Sequence, residues 1–181
     1  IENTLTWANE PLYKNAKIFG ITYVGNLGNF LKENNLQSYI FNPLNNASGQ
    51  PRLGTGYIVL GTLLVLERLG FVSLNLNEVS QSIESLPQNK DEIIKKAQEA
   101  AVKIQNKIPV IFAADFLEGN AHIVRNQINE TAKSFSDFSV IPELNHHLME
   151  GLKNPTDTKL VALFLESDLF SDVIKKRIEL T

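Results

Sequence analysis

The arrangement of apolar segments along this chain constrains its fold more than any other feature. Five short apolar runs lie at residues 16–23, 37–41, 109–114, 138–141 and 159–165. Apolar runs of this length are typical of strands buried in parallel sheets, and the segments between them are suited to crossover helices. The pattern therefore predicts an α/β fold with parallel sheets.

The predicted helices indicate two domains. A helix over residues 54–69 is hydrophobic on all sides, which predicts that it is buried. Further along, Pro87 is predicted to break a small helix, and residues 90–107 form a charged amphipathic helix. Because the composition changes in this region, we place the domain boundary here and predict domains at residues 1–88 and 89–181.

The overall composition is that of a globular chain and excludes several functions. Of its 181 residues, 43% are hydrophobic and 20% are charged, so the chain can bury a core. A net charge of −3 argues against nucleic-acid and anionic-membrane binding. The absence of cysteine excludes disulfides, thiolate catalysis and cysteine-ligated zinc. The longest apolar run, residues 57–66, is too short and too interrupted to span a bilayer.

A predicted helix over residues 118–133 carries two stripes at helical spacing. The first stripe is apolar and is expected to pack inward; it consists of Ala121, Val124, Ile128 and Ala132. The second stripe is polar and consists of His122, Asn126, Asn129, Glu130 and Lys133. A row of amides with one carboxylate and one amine is unusual for a solvated face, where Lys and Glu commonly alternate.

Two of the three histidines of the chain, His146 and His147, follow this helix at a short distance. A carboxylate on a helix and a nearby histidine are suited to proton-transfer chemistry. A surface helix followed by an ordinary loop produces the same pattern. Both interpretations stand on the pattern alone.

The sequence motifs in this region resemble those of a known family. Residues 127–133 read Gln-Ile-Asn-Glu-Thr-Ala-Lys, and residues 142–146 read Pro-Glu-Leu-Asn-His. These segments resemble the N-E-N-A-K and P-E-x-x-H patterns of the bifunctional phosphoglucose/phosphomannose isomerases, which are two-domain sugar isomerase (SIS) proteins. The sixteen positions from Glu130 to His146 match the family spacing. Thr131 stands where the family commonly has Asn, and residues 147–149 are less polar than their counterparts.

Two further segments extend the resemblance over nearly the whole chain. Residues 50–52, Gln-Pro-Arg, followed by Gly56 and Tyr57, resemble the family pattern P-R-x-x-x-G-Y. Residues 1–5 resemble the end of the phosphate loop, S-G-N-T-x-E-T-L. The resemblance implies flavodoxin-like parallel layers, with part of a first SIS domain and most of a second. Since the chain begins with Ile and the rest of the phosphate loop would precede it, we expect a fragment lacking both flanks that is inactive or very weak by itself.

The resemblance implies an aldose–ketose isomerase that interconverts glucose 6-phosphate, and mannose 6-phosphate, with fructose 6-phosphate. In this role Glu130 would move a proton between C1 and C2 of the open-chain sugar through a cis-enediolate. Arg52 would stabilise the enediolate, and His146 would open the sugar ring. The residues expected to bind substrate and hold the geometry of the site are Gln127, Asn129 and Lys133. Glu143 could orient His146 or cap a helix.

The resemblance also implies partners and a location. The active site of the family lies between two subunits, and the neighbouring subunit supplies the histidine, so we expect a homodimer that binds a sugar phosphate in the cytoplasm without a cofactor. The alternative is a non-catalytic SIS module that binds a sugar phosphate for regulation. The presence of Glu130, Arg52 and His146 together favours the enzyme, because a pure binding module needs no proton-shuttling carboxylate.

A metal site is the other alternative that the sequence raises. The available ligand types are His122, Glu143, His146, His147 and Glu150. Their spacing matches no common metal-binding motif, and adjacent histidines rarely bind one ion together. The sequence therefore predicts no metal site.

Overall fold

The computed structural model describes residues 19–154, 156–157 and 159–181. The helix predicted at residues 4–15, the start of the first predicted strand and the phosphate-loop-like residues 1–5 lie outside the described residues.

The chain divides into two compact units, Ile1–Ser85 and Leu86–Thr181. The division falls within a helix and close to the boundary that the sequence suggested after residue 88. Each unit contains its own parallel sheet, as the alternation of apolar runs and helices predicted.

The first unit is built on two parallel strands, β1 (Phe19–Tyr23) and β2 (Gln37–Phe41). Helix α1 (Asn26–Glu33) connects them. After β2, a 3-10 turn at Pro51–Leu53 leads into helix α2 (Thr55–Arg68). The predicted strand at residues 37–41 and the long following helix are confirmed.

The predicted burial of helix α2 is wrong for the described structure. Among its residues Gly61 alone is buried, while Ile58, Val59 and Leu64 are 42%, 46% and 48% exposed. The helix approaches the sheet where Gly61 meets the ring of Tyr39. All-round hydrophobicity indicates what a helix is able to bury, whereas the neighbouring elements decide which sides are covered.

Two helices join the sheets, α3 (Leu76–Gln88) and α4 (Lys90–Ile104). Pro87 lies inside α3 and does not break it, so the helix ends at Gln88, two residues after the predicted end at Leu86. On α4 an exposed hydrogen-bonded pair, Glu92 and Lys96, lowers the pKa of the carboxyl and raises the pKa of the amine. Such an exposed pair contributes little to stability because water screens it.

The second unit contains a three-stranded parallel sheet in the order β4-β3-β5. The strands are β3 (Ile108–Ala114), β4 (Asp137–Ile141) and β5 (Leu160–Phe164), which confirms the three predicted runs. Side chains of the central strand alternate between two clusters, because successive residues of a strand face opposite sides. Phe112 packs with Ile141, Leu144 and Phe170 on one side, while Ile111 packs with Ala121 on the other.

The helical elements of this unit include two π-helical turns. Helix α5 (Glu118–Gln127) continues into turn π1 (Ile128–Ala132), and turn π2 (Leu144–Leu148) follows β4. The remaining helices are the short α6 (Met149–Gly151) and α7 (Asp172–Leu180).

The extent of the predicted helix at residues 118–133 agrees with α5 and π1 together. Ala121 is fully buried, and Val124 and Ile128 pack against its cluster, as the apolar stripe predicted. Ala132, however, is exposed, so the prediction that it packs inward is wrong. The wider π turn changes the angle at which residues after Ile128 leave the helix, and a stripe drawn with α-helical spacing no longer applies. Across the part of the chain that the structure describes, no helix is both long enough and apolar enough to cross a membrane.

Candidate active site

Glu130 lies in turn π1 with its side chain exposed to solvent. π-helical turns are rare in proteins, and those that occur are often found at functional sites. The extra residue of such a turn displaces a side chain from its regular helical position. The turn ends at Lys133, whose φ of 54° is in the left-handed region. A residue in this conformation ends a helix and redirects the chain, so Lys133 defines where the turn stops.

The side chain of Asn129 fixes turn π1 to the start of strand β4. Its Nδ2 donates to the Ser136 carbonyl at 2.9 Å and to the Arg125 carbonyl at 3.0 Å. In return, the Ser136 amide donates to Asn129 Oδ1 at 3.2 Å, and the Ser136 hydroxyl donates to the Arg125 carbonyl at 3.1 Å. Since Ser136 is 2% exposed, this network positions the residue next to Glu130 through buried hydrogen bonds.

Gln127 and Arg125 lie in the last turn of α5, where both are half-buried. The guanidinium of Arg125 lies over the Phe138 ring, with 5.5 Å between its central carbon and the ring centroid. Sequence reasoning gave no role to Arg125 or Ser136. No signal at sequence level distinguishes Ser136 from an ordinary loop serine, because its importance comes from burial.

His146 lies in turn π2, and its side chain is exposed. The neighbouring Leu144 is completely buried and anchors the turn in the core. On the other side, Asn145 Nδ2 donates to Thr181 Oγ1 at 2.8 Å, and Arg177 Nη1 donates to Asn145 Oδ1 at 3.5 Å. The turn that presents His146 is therefore held by the core and by the end of helix α7.

Glu143 pairs with His147, with 2.9 Å between Oε1 and Nδ1. The Glu143 side chain makes no capping hydrogen bond at the start of π2 within the described structure. The Glu143 carboxylate therefore lies at hydrogen-bond distance from His147. The sequence had suggested the neighbouring residue, His146, as its partner.

Arg52 lies in the first unit, in the 3-10 turn before helix α2, and is half-buried. Its Nη1 donates to Gln50 Oε1 at 3.0 Å, and its carbonyl accepts from Thr55 Oγ1 at 3.1 Å. The backbone carbonyl of Gln50 accepts from Asn46 Nδ2 at 2.7 Å. These hydrogen bonds link residues 46–50 to the 3-10 turn and restrain the orientation of the Arg52 guanidinium.

Within one chain, Glu130 and His146 lie beyond opposite ends of strand β4. Turn π1 is bonded to Ser136, which immediately precedes the strand, while turn π2 begins just after the strand ends at Ile141. Five extended residues span about 13 Å. In the second unit, the turn that carries Glu130 and the turn that carries His146 therefore lie at opposite ends of the strands.

The fold and the motif positions define a class of protein, the sugar isomerase (SIS) domains. The chain resembles the crystal structure of a provisionally assigned phosphosugar isomerase from Clostridium difficile 630, with a TM-score of 0.63 and 11% identity. The match covers 97% of this chain and 59% of that chain. Residues 93–181 match the family model of the bacterial phospho-glucose isomerase C-terminal SIS domain.

Curated relatives show the same resemblance. The chain is 27% identical to the bifunctional phosphoglucose/phosphomannose isomerase of Aquifex aeolicus, over 99% of this chain and 53% of the relative. It is 28% identical to the enzyme of the same name from Caldicellulosiruptor bescii, over 85% of this chain and 47% of the relative. The chain spans about half the length of these relatives. The family resemblance predicted from the motifs is confirmed.

Proposed function

We propose that the full-length protein containing this chain is a sugar-phosphate isomerase that interconverts glucose 6-phosphate, and mannose 6-phosphate, with fructose 6-phosphate. The observation that carries the proposal is the exposed Glu130 on a π-helical turn fixed by Asn129, within the segment that matches the family. The proposal places the protein in the carbohydrate metabolism of the cytoplasm.

Glu130 is the proposed base. Isomerisation requires a proton to leave one of two neighbouring sugar carbons and return to the other, and one carboxylate can serve both because they share one face of a cis-enediolate. The exposed position leaves the carboxylate accessible to a sugar. The Asn129 network keeps the turn in place during both proton transfers, which depend on accurate positioning.

Arg52 and His146 are the proposed partners of Glu130. A fixed guanidinium stabilises the negative charge of the enediolate, and an imidazole is suited to opening the sugar ring near neutral pH. Because Glu130 and His146 of one chain lie at opposite ends of β4, we propose that a second copy supplies the imidazole in a symmetric homodimer.

The remaining residues of the motif have supporting roles in this proposal. Gln127, Asn129 and Lys133 bind the substrate or hold the geometry of the turn. We further assign residues 1–88 to the C-terminal part of a first SIS domain, and residues 89–181 to a second SIS domain. The family match at residues 93–181 supports the second assignment.

A coupled assay of the full-length protein on glucose 6-phosphate and mannose 6-phosphate tests the proposal. Glu130→Gln keeps the size of the side chain and removes the base, so turnover should fall at least a hundredfold, in line with the usual contribution of general acid–base catalysis. Glu118→Gln is the matched control, because Glu118 is an exposed glutamate at the start of the same helix. Equal turnover of Glu130→Gln and the wild type would refute the assignment of the base.

The alternative function is a non-catalytic SIS module that binds a sugar phosphate. The separation of Glu130 and His146 along one chain is compatible with such a module, which does not need the two groups to meet. Saturable binding of glucose 6-phosphate by the full-length protein, without turnover of either sugar phosphate, would favour this alternative.

A further inference from the structure

A compact group of metal-ligand types lies on turn π2. One ligand atom from each of Glu143, His146 and His147 lies within 4.8 Å of the others, and all three side chains are exposed. His147 Nδ1 and Glu143 Oε1 are 2.9 Å apart. The two imidazole rings meet edge-on, with 5.4 Å between their centroids.

We propose that Glu143, His146 and His147 bind a divalent transition-metal ion, with Zn²⁺ as the best fit. Two imidazoles and one glutamate are a ligand set that zinc sites use, and a fourth position remains for water. Bonds of about 2.0–2.2 Å place the ligand atoms of a tetrahedral ion about 3.4 Å apart. The 2.9 Å separation between His147 and Glu143 is close to this value, and rotation of exposed side chains brings the third ligand into range.

The backbone under this cluster is already fixed. Leu144 is fully buried, and Asn145 is hydrogen-bonded to Thr181, so the turn does not need to reorganise when an ion binds. Only the side chains lose freedom on binding, which keeps the entropic cost low. The sequence argued against such a site because its spacing matches no common metal-binding motif and adjacent histidines rarely bind one ion together. In the π turn, both rings lie within reach of the same carboxylate.

Metal binding would have a consequence for catalysis, and this consequence rests on the proposed function. An ion bound to His146 occupies an imidazole nitrogen that ring opening requires. Zn²⁺ would therefore inhibit turnover reversibly, and a chelator would restore it. The binding of the ion itself does not depend on the protein being an isomerase.

The first test is calorimetric titration of the full-length protein with Zn²⁺ after treatment with a chelator. We expect a saturable site that His147→Gln weakens at least tenfold. His122→Gln is the matched control, since His122 is an exposed histidine of the same unit outside the cluster, and it should leave the affinity unchanged. Equal Zn²⁺ affinity of His147→Gln and the wild type, or binding only at millimolar Zn²⁺, would overturn the proposal.

Two further measurements keep the outcome clear. In the unmodified protein, Co²⁺ should broaden or shift the imidazole NMR signals of His146 and His147 and leave those of His122 unchanged; broadening confined to His122 would contradict the site. In the isomerase assay, His147→Gln should keep its turnover without metal and resist Zn²⁺ at least tenfold better than the wild type. Zn²⁺ binding without isomerase activity would refute the proposed function only, whereas activity without Zn²⁺ binding would refute the metal site only.

Discussion

Asn129 and Ser136 are hydrogen-bonded in both directions across the end of turn π1. The Asn129 amide donates to the Ser136 carbonyl at 2.9 Å, and the Ser136 backbone amide donates to Asn129 Oδ1 at 3.2 Å. The pair links the residue before Glu130 to the residue before strand β4. The position of the proposed base is therefore tied to the sheet by one side chain.

Asn129→Ala should lower both stability and turnover. It leaves buried polar groups of Ser136 without their partner, and each such group costs about 1–3 kcal/mol. Urea unfolding measures the loss of free energy, and the coupled assay measures the displacement of Glu130. Asn120→Ala, at an exposed position near the start of the same helix, is the control and should change neither. Wild-type stability of Asn129→Ala would mean that the hydrogen bonds do not hold the turn.

Mixing two inactive variants should restore activity if the site is shared between subunits. Glu130→Gln and His146→Gln subunits, exchanged at equal amounts, form mixed dimers in which one of the two sites has both native residues. Turnover should recover to roughly a quarter of the wild-type value if subunits pair at random.

The control for this mixture combines Glu130→Gln with the double variant Glu130→Gln/His146→Gln. No pairing of these subunits places a native Glu130 in any site, so no activity should return. Failure of the first mixture to recover, with subunit exchange verified by mass spectrometry, would show that each site uses residues of a single chain.

Asn145→Ala should reduce kcat with little change in KM. Asn145 does not belong to the proposed substrate-binding set, but its bonds to Thr181 and Arg177 hold the turn that presents His146. Small displacements of a catalytic group cost roughly tenfold to a hundredfold in rate. Thr181→Val removes the 2.8 Å contact with Asn145 and the 2.7 Å bond that the Thr181 hydroxyl donates to the Arg177 carbonyl. Because Asn145 keeps its own side chain in this variant, the effect should be smaller and in the same direction.

Steady-state kinetics on the full-length protein separate the two parameters. Glu179→Gln is the control, because it lies on the same helix and its exposed carboxylate pairs with Lys176. An increase in KM alone for Asn145→Ala would indicate a substrate contact in place of a positioning role.

Gly61→Ala should destabilise the first unit. A Cβ at this position would collide with the ring of Tyr39, since helix α2 approaches the sheet closely there. Overpacking of this kind typically costs about 1–3 kcal/mol. Gly56→Ala in the same helix meets no described atom within 4 Å and should be neutral or stabilising by roughly 0.5–1 kcal/mol. Thermal unfolding of both variants tests the contact, and equal midpoints would contradict it.

Much of the fold and of the candidate site follows from local sequence. The apolar runs predicted all three strands of the second sheet, and the bounds of helix α5 with turn π1 agree with the predicted helix. The spacing of Glu130 and His146, together with the flanking residues, identified the family. These features are local because strand and helix preferences and short motifs depend on residues close together in the chain.

The remaining features depend on contacts between distant residues. The apolar content of helix α2 did not reveal that Ile58 and Leu64 stay exposed, because the covering elements decide burial. The apolar stripe predicted that Ala132 packs inward, and this prediction is wrong because Ala132 lies in a π turn. The wider geometry of that turn is not described by α-helical spacing. The contact between Glu143 and His147 likewise arises only once turn π2 has formed.

The sequence by itself determined the parallel α/β class, the order of the elements and the family resemblance, because apolar periodicity and short motifs involve residues that are close together in the chain. Only the tertiary structure decided that Asn129 secures the turn of Glu130 through a buried serine, and that helix α2 leaves Ile58 and Leu64 exposed. The physical reason is that buried hydrogen bonds and the packing of one element on another join residues that local preference cannot relate to one another.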